Sequence, residues 1–270
     1  MSHDASKVAL ANCGSNHKDL ACFDVDPASF PAGYCVSLAS TGLPSLLKSA
    51  GVRYGISRGR SLSDHKKTSV QQAGLRAPVR ASLKRSTGLI TISSYANLVS
   101  GTDDSITVGA TVFTAQTGAA TLGQTTFQAA TSNAATATSL AAQINAHATA
   151  STLVYAIASS DTVRLYAIVE GAATGHDVAV AYTDNDTNVG AVLSELTAGK
   201  LAGGSNTITD IAYIAKGAKM YINDVTGKAD IAMTGFSTIS DAVYVTADIT
   251  GIDEDGVEVA AAIVDFQGGL

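Results

Sequence analysis

From residue 105 onward much of the chain is written in short runs in which polar and apolar residues alternate, set off by glycine-bearing turns. A period of two is the period of a β-strand with one face buried, and glycine between two such runs marks a chain reversal. Ser105-Ile106-Thr107-Val108-Gly109 and Thr111-Val112-Phe113-Thr114 are the first pair, with Gly109-Ala110 as the turn. Residues 153–158 and 163–169 are two more runs, the latter placing Val163, Leu165, Ala167 and Val169 on one face, and 178–182 adds another. Runs 219–222 and 229–233 flank Asp224-Val225-Thr226-Gly227, and runs 242–250 and 257–264 flank Asp253-Glu254-Asp255-Gly256. Asp-Gly at a turn supplies the positive φ that hairpins need. Val243, Val245, Ala247 and Ile249 are expected on one face. The pattern predicts a mainly β fold, α+β locally, built of sandwich- or barrel-like modules.

One segment breaks the period. Residues 134–148 are Ala-rich, follow the N-cap candidates Ser132 and Asn133, and place Leu140, Ile144 and Ala148 four residues apart. That spacing predicts one prominent helix with an apolar stripe. The length of 270 residues allows about two domains. Residues 101–205, rich in Thr and Ala and poor in basic residues, read as an inserted β-rich domain, closed by the linker-like Leu201-Ala202-Gly203-Gly204-Ser205. Residues 1–100 form a basic N-terminal region that the strands of 206–270 complete. Within it 52–57 and 79–83 look extended, and Ser61-Leu62-Ser63-Asp64 reads as a turn or a helix start.

Charge narrows the partners. Charged residues are 15% of the chain, against a usual ~25%. Residues 1–100 carry twelve Lys/Arg against five Asp/Glu, a balance of +7, so a net charge of −6 leaves −13 for the remainder. If the two halves are separate in space, a basic half meets an acidic partner and an acidic half faces solvent. Nucleic acid is disfavoured as that partner, because the basic segment has no stacking aromatic beyond Tyr54 and no recognised motif. No run of about 18 apolar residues exists, so no membrane-spanning helix is expected. The opening MSHDASKVALANC lacks the basic and apolar regions of a secretory signal, so synthesis and retention in a bacterial cytoplasm are expected.

Catalytic patterns are sparse. His3, His17, His65, His147 and His176 are scattered, and no P-loop, Rossmann or G-x-S-x-G string occurs. Asp64-His65 beside Ser61 and Ser63 is a sequence cluster, whereas hydrolytic triads assemble from distant positions. The reading is therefore not an enzyme, with no cofactor. Cys13, Cys22 and Cys35 lack zinc-site spacing, and an odd number leaves at least one thiol free or paired with another chain. Asp184, Asp186, Asn188 and Glu195 fall at positions 1, 3, 5 and 12 of a calcium loop, but Val189 stands where the loop needs glycine. A solvated acidic turn is the expected alternative there, and an exposed hairpin tip for Asp253, Glu254 and Asp255. The absence of Trp and an aromatic content of 6% count against a sugar-binding platform.

The strings Gly55-Ile56-Ser57-Arg58-Gly59-Arg60-Ser61-Leu62-Ser63-Asp64, running to Ala77-Pro78-Val79, and Ile222-Asn223-Asp224-Val225-Thr226-Gly227-Lys228-Ala229 resemble capsid decoration (cement) proteins of tailed bacteriophages. Gly251 to Gly256 and the ending Val264-Asp265-Phe266-Gln267-Gly268-Gly269-Leu270 fit the same group. The middle zone resembles a different phage module, found in virion-surface, tail and baseplate-associated proteins, through Ile106-Thr107-Val108-Gly109, Phe113-Thr114, 138–146 and 165–171. The resemblance implies a structural protein on the outer capsid surface of a virion, bound in many copies to the major capsid protein and often a homotrimer. It brings no catalytic residues. On this reading Arg53, Arg58, Arg60, Lys66 and Lys67 attach to an acidic capsid surface while 101–205 projects outward. The alternatives are a tail or neck component (tube, sheath-associated or collar) and a host-surface adhesin.

Overall fold

The computed structural model describes residues 77–172 and 177–208 without a break, together with 7–9, 20–23, 32, 34–39, 44–45, 51–60, 68–71, 210–211, 219–223, 226–231, 237–252, 255 and 257–266. The architecture is mainly β, with one α-helix among the described residues. The chain divides into two compact units, Lys84–Asn206 and Met1–Leu83 with Thr207–Leu270.

The inserted unit starts at Lys84, not at residue 101. Its strands are β1 (Thr87–Ile92), β2 (Ser105–Val108), β3 (Thr111–Gln116), β4 (Thr126–Gln128), β5 (Val154–Ser159), β6 (Thr162–Ala167), β7 (Val180–Thr183), β8 (Ala191–Ser194), β9 (Leu196–Thr197) and β10 (Lys200–Leu201), with helix α1 (Asn133–Ala146) between β4 and β5. β1 sets the boundary, because it is an inner strand of a four-stranded sheet in the order β5-β6-β1-β8. The second sheet runs β4-β3-β2-β7, antiparallel except for the parallel pair β3 and β4. Gly109 makes the β2–β3 turn at φ 62, the left-handed conformation that a Cβ opposes.

Alternation of side chains gives each sheet one apolar face, and the two faces share a core. Phe113, Phe127, Ile90, Ile92, Leu98, Ile106, Leu140, Ile144 and Leu165 are its largest fully buried side chains. Each contributes about 1.5–3 kcal/mol through removal from water. α1 packs against β4 on one sheet and against β5, β6 and β1 on the other. Ser132 caps it, its Oγ accepting the Ala135 N–H at 3.1 Å. The helix ends at Ala146, two residues before the expected Ala148, which is exposed. The extended backbone of His147 stops it, and the His147 Nδ1 accepts the N–H groups of Thr149 and Ala150, both at 3.3 Å.

Strand edges are the exposed weakness of such a unit, since unpaired backbone groups invite other strands. Asn145 covers one of them. Its Oδ1 accepts the Ala156 N–H and its Nδ2 donates to the Ala156 carbonyl, both at 2.8 Å, so the amide takes the place of a neighbouring strand beside β5. At the other side the hairpin β9–β10 ties the sheets together. Ala202 pairs with Thr87 beside β1, and the Val180 N–H at β7 bonds to the Gly199 carbonyl. Leu201 is thereby a buried core residue and not part of a linker.

The outer unit holds two further sheets. One takes all its strands from the first 71 residues, in the order Leu20–Phe23, Thr68–Gln71, Gly51–Arg60, Cys35–Ala39, Pro44–Ser45. The other runs Ala229–Asp230, Lys219–Asn223, Ser237–Ile252, Glu258–Phe266, Ala77–Arg80, with Lys7–Ala9 parallel to Ser237–Ile252. The expected hairpin of 242–250 with 257–264 is present and longer than its sequence pattern. Two register shifts, between Tyr244 and Thr246 and between Thr246 and Ile249, interrupt the strict alternation expected of Val243, Val245, Ala247 and Ile249. Buried Asp230 holds this sheet's start in place. It accepts from the Ser82 Oγ at 2.8 Å, the Asn223 Nδ2 at 3.2 Å and the Ile231 N–H at 2.8 Å.

This layout corrects the expected electrostatic split. Residues 1–83 carry ten basic and five acidic residues and 207–270 carry three and ten. Both segments build one unit, joined where Ala77–Arg80 pairs with Glu258–Phe266, and that unit is −2 overall. The inserted unit, with four basic and eight acidic residues, is −4. The charge asymmetry of the sequence is therefore not an asymmetry between two bodies.

Candidate functional site

The most concentrated set of ionisable groups among the described residues lies where the loop 184–190 meets the loop leading into β2. Ligand oxygens of Asp104, Asp184 and Asp186 fall within 4.8 Å of one another. Asp104 is fully buried and satisfied, accepting the Tyr182 hydroxyl at 2.5 Å and the Asn185 N–H at 2.9 Å. The Tyr182 hydroxyl in turn accepts the Gly190 N–H at 2.8 Å, which joins β7 to the start of β8. Burial, and then the bond to Asp104, pushes the Tyr182 hydroxyl up to about 12. Gly190 has no room for a larger residue, since a Cβ there would lie 2.6 Å from the Leu98 side chain and 2.8 Å from the Leu98 nitrogen.

The calcium-loop spacing is not realised as a ligand set. Asp186 turns inward on its own loop, accepting the Asn188 N–H at 2.6 Å and the Thr187 N–H, and these bonds hold its carboxyl below its ordinary range. Asn188 donates its side-chain amide to Asp186 at 3.2 Å. Asp184 accepts the Asp186 N–H at 3.1 Å, the bond pattern of an Asx turn. Glu195 is outside the cluster. It forms a two-pronged pair with Arg164, one prong at 3.1 Å, which holds the Glu195 carboxyl below its ordinary range. The third carboxylate, Asp104, stands 80 positions before Asp184 and belongs to no local motif.

The proposed attachment residues fall on the outer unit. Arg53, Arg58 and Arg60 lie on the strand Gly51–Arg60, with Arg53 opposite Ser37 and Arg60 opposite Thr68. The register shift between Ser57 and Arg60 places a bulge at Arg58 and Gly59. Lys66, Lys67 and the Ser61–His65 cluster lie outside the described residues, as do Cys13, Asp253 and Glu254. Cys22 and Cys35 sit on strands separated by two others in the sheet. At ~4.8 Å per strand they are about 14 Å apart, far beyond the reach of a disulfide. An internal bridge between these two thiols is excluded by the sheet order.

No known protein family matches the chain, and no curated protein does. Among solved structures, a chain from Mycobacterium phage Patience is similar to it over 95% of both chains, at 13% identity and a TM-score of 0.38. A likeness of that size carries no argument about fold or role.

Proposed function

We propose that the chain is a non-enzymatic structural protein of a tailed-phage particle, which decorates and stabilises the outer capsid surface by binding the major capsid protein. The observation that carries the reading is the five-stranded sheet built wholly from residues 20–71. Six basic and three acidic residues fall in that span, and its central ten-residue strand bears Arg53, Arg58 and Arg60. The resemblance of 55–64 and 77–79 to decoration proteins falls largely on the same stretch. A protein that binds only the assembled shell stabilises it by mass action, and many weak contacts in an array add through effective concentration.

The test is attachment against ionic strength. Heads stripped of the protein are re-decorated at low salt and washed in ~1 M salt, where the Debye length is ~3 Å. Loss of the protein in the wash, and weaker binding by Arg58→Glu or Arg60→Glu, is the expected result. Full retention at high salt with both variants binding normally refutes the basic attachment surface. A tail or neck location is the second reading, and the place of the protein on the particle separates the two.

A further inference from the structure

The outer unit's sheet that ends in Ala77–Arg80 meets its own opposite edge through a change of partner. Arg80 pairs with Ala261, and the next residue still bonds to that strand, the Ala81 N–H donating to the Ala260 carbonyl at 3.0 Å. Ser82 then turns to the other edge of the sheet, its N–H donating to the Ala229 carbonyl at 2.9 Å, and Ala81 stands parallel to Ala229. Alanine at 81 and 260 leaves this seam unfilled. A cavity of about 160 Å³ lies along it, and all its lining residues belong to the outer unit. Ala81 and Ala260 are buried and form the floor, and Leu83 and Ile208 add apolar walls. Arg80 and Lys228, both half-buried, and the exposed Glu258 stand at the mouth.

We propose that this cavity seats one acidic side chain of glutamate size, presented by a partner protein, with its methylenes on the alanine floor and its carboxylate toward Arg80 and Lys228. Size sets the first limit. Sites for whole small molecules measure about 300–1,000 Å³. At ~30 Å³ per water, this cavity has room for about five waters, or for about five heavy atoms of similar size, which is a glutamate side chain. Charge sets the second. Two cations and one anion leave the lining at +1, a sum that holds whatever pairs these groups make. Asp230, next in the chain to Ala229, does not line the cavity and is engaged by Ser82, Asn223 and Ile231.

The mouth is built before a ligand arrives. The Arg80 Nε donates to the Ala32 carbonyl at 2.8 Å, and its guanidinium lies 4.9 Å over the Tyr34 ring. Lys228 follows Gly227, whose φ of 71 makes the tight turn, and its carbonyl accepts the Asn223 N–H at 2.8 Å. Groups already ordered lose little freedom on binding, and one side chain seated in a small pocket can carry much of an interface's binding energy. The inference deepens the proposed role by naming a contact through which the chain holds its partner. It rests on that reading only for the partner being the major capsid protein.

The test is a nuclear magnetic resonance titration of the nitrogen-15-labelled full chain with propionate, the glutamate side chain cut free, at an ionic strength held constant with chloride. Saturable shifts are expected at the amides of Ala81, Val259 and Ala260. Propionamide has the same shape without the charge and is expected to bind about fivefold more weakly, since hydrogen bonds to charged groups are the stronger. Lys228→Gln is expected to weaken propionate by a similar factor and Lys228→Arg to restore it. The comparison of propionate with propionamide on wild type needs no variant, so it decides the matter even where Lys228→Gln disturbs the fold. The peptide Gly-Gly-Glu-Gly-Gly, blocked at both ends, is expected to bind at least as tightly as propionate. No saturable shift at these amides, propionamide binding as tightly as propionate, a folded Lys228→Gln that binds propionate like wild type, or a peptide that does not bind overturns the proposal. No particle enters this measurement, so its failure leaves the capsid reading standing, and the failure of that reading leaves the cavity to be judged here.

Discussion

Leu140→Ala is expected to destabilise the inserted unit by about 2.7–5 kcal/mol and to leave the outer unit unchanged. Leu140 is fully buried in α1, within the core shared by both sheets, and every buried member of that core lies between Ile90 and Leu201. Truncation removes the transfer free energy of the side chain and leaves a cavity that the flanking strands fill only in part. For a unit of about 120 residues, 1 kcal/mol moves the melting temperature by about 3–5 °C, so the inserted unit's transition should fall by roughly 10–20 °C. The assay is differential scanning calorimetry of the full chain, with Thr138→Ala as control. Thr138 is exposed on the same helix and only returns a hydroxyl bond to the Ala134 carbonyl at 2.9 Å, so its change should stay within about 0.5 kcal/mol. A lowered transition beside an unmoved one supports two units with separate cores. A single transition in wild type that shifts as a whole, or a Leu140→Ala change no larger than that of Thr138→Ala, refutes the reasoning.

Three further outcomes follow from named contacts. Asn145→Ala removes both bonds to the backbone of Ala156 and exposes the β5 edge; it should cost about 1–3 kcal/mol and speed amide exchange at Ala156. Gly190→Ala drives a Cβ against the Leu98 backbone nitrogen, which has no rotamer to escape into; denaturant unfolding should show a loss of about 1–3 kcal/mol. Tyr182 holds its proton up to about pH 12 in the folded chain, against 10.0 for an unperturbed tyrosine, so its contribution is complete below pH 10 and is lost as pH rises from there through 12. Asp104→Asn keeps the burial but replaces the charged acceptor, and ultraviolet titration should then place Tyr182 between those two values.

Much of this fold was legible because its determinants are local. The β2–β3 hairpin follows from alternation and a glycine placed where φ is 62, and α1 follows from a serine cap before an Ala-rich run with Leu140 and Ile144 on one side. β1 escaped notice because Leu89 and Ile90 are adjacent apolar residues that blur the alternation, and its place as an inner strand comes from β6 and β8, over 70 residues away. The acidic cluster shows the same limit. Asp184 and Asp186 are readable as a pair, whereas Asp104 joins them only because β2 and β7 are neighbours in a sheet. Glu195 stood at a calcium-loop spacing, but Arg164, reached across β1, claims it. The balance of +7 over residues 1–100 against −13 for the remainder suggested two faces, and the pairing of Ala77–Arg80 with Glu258–Phe266 puts the acidic 207–270 in the same unit as the basic 1–83.

The central claim is most directly tested by immunogold labelling of purified virions with an antibody raised against the inserted unit, 84–206. The account predicts gold spread over the heads at high copy number. Gold confined to the neck or tail, or its absence from particles in which denatured-virion mass spectrometry also finds none of the chain, contradicts it.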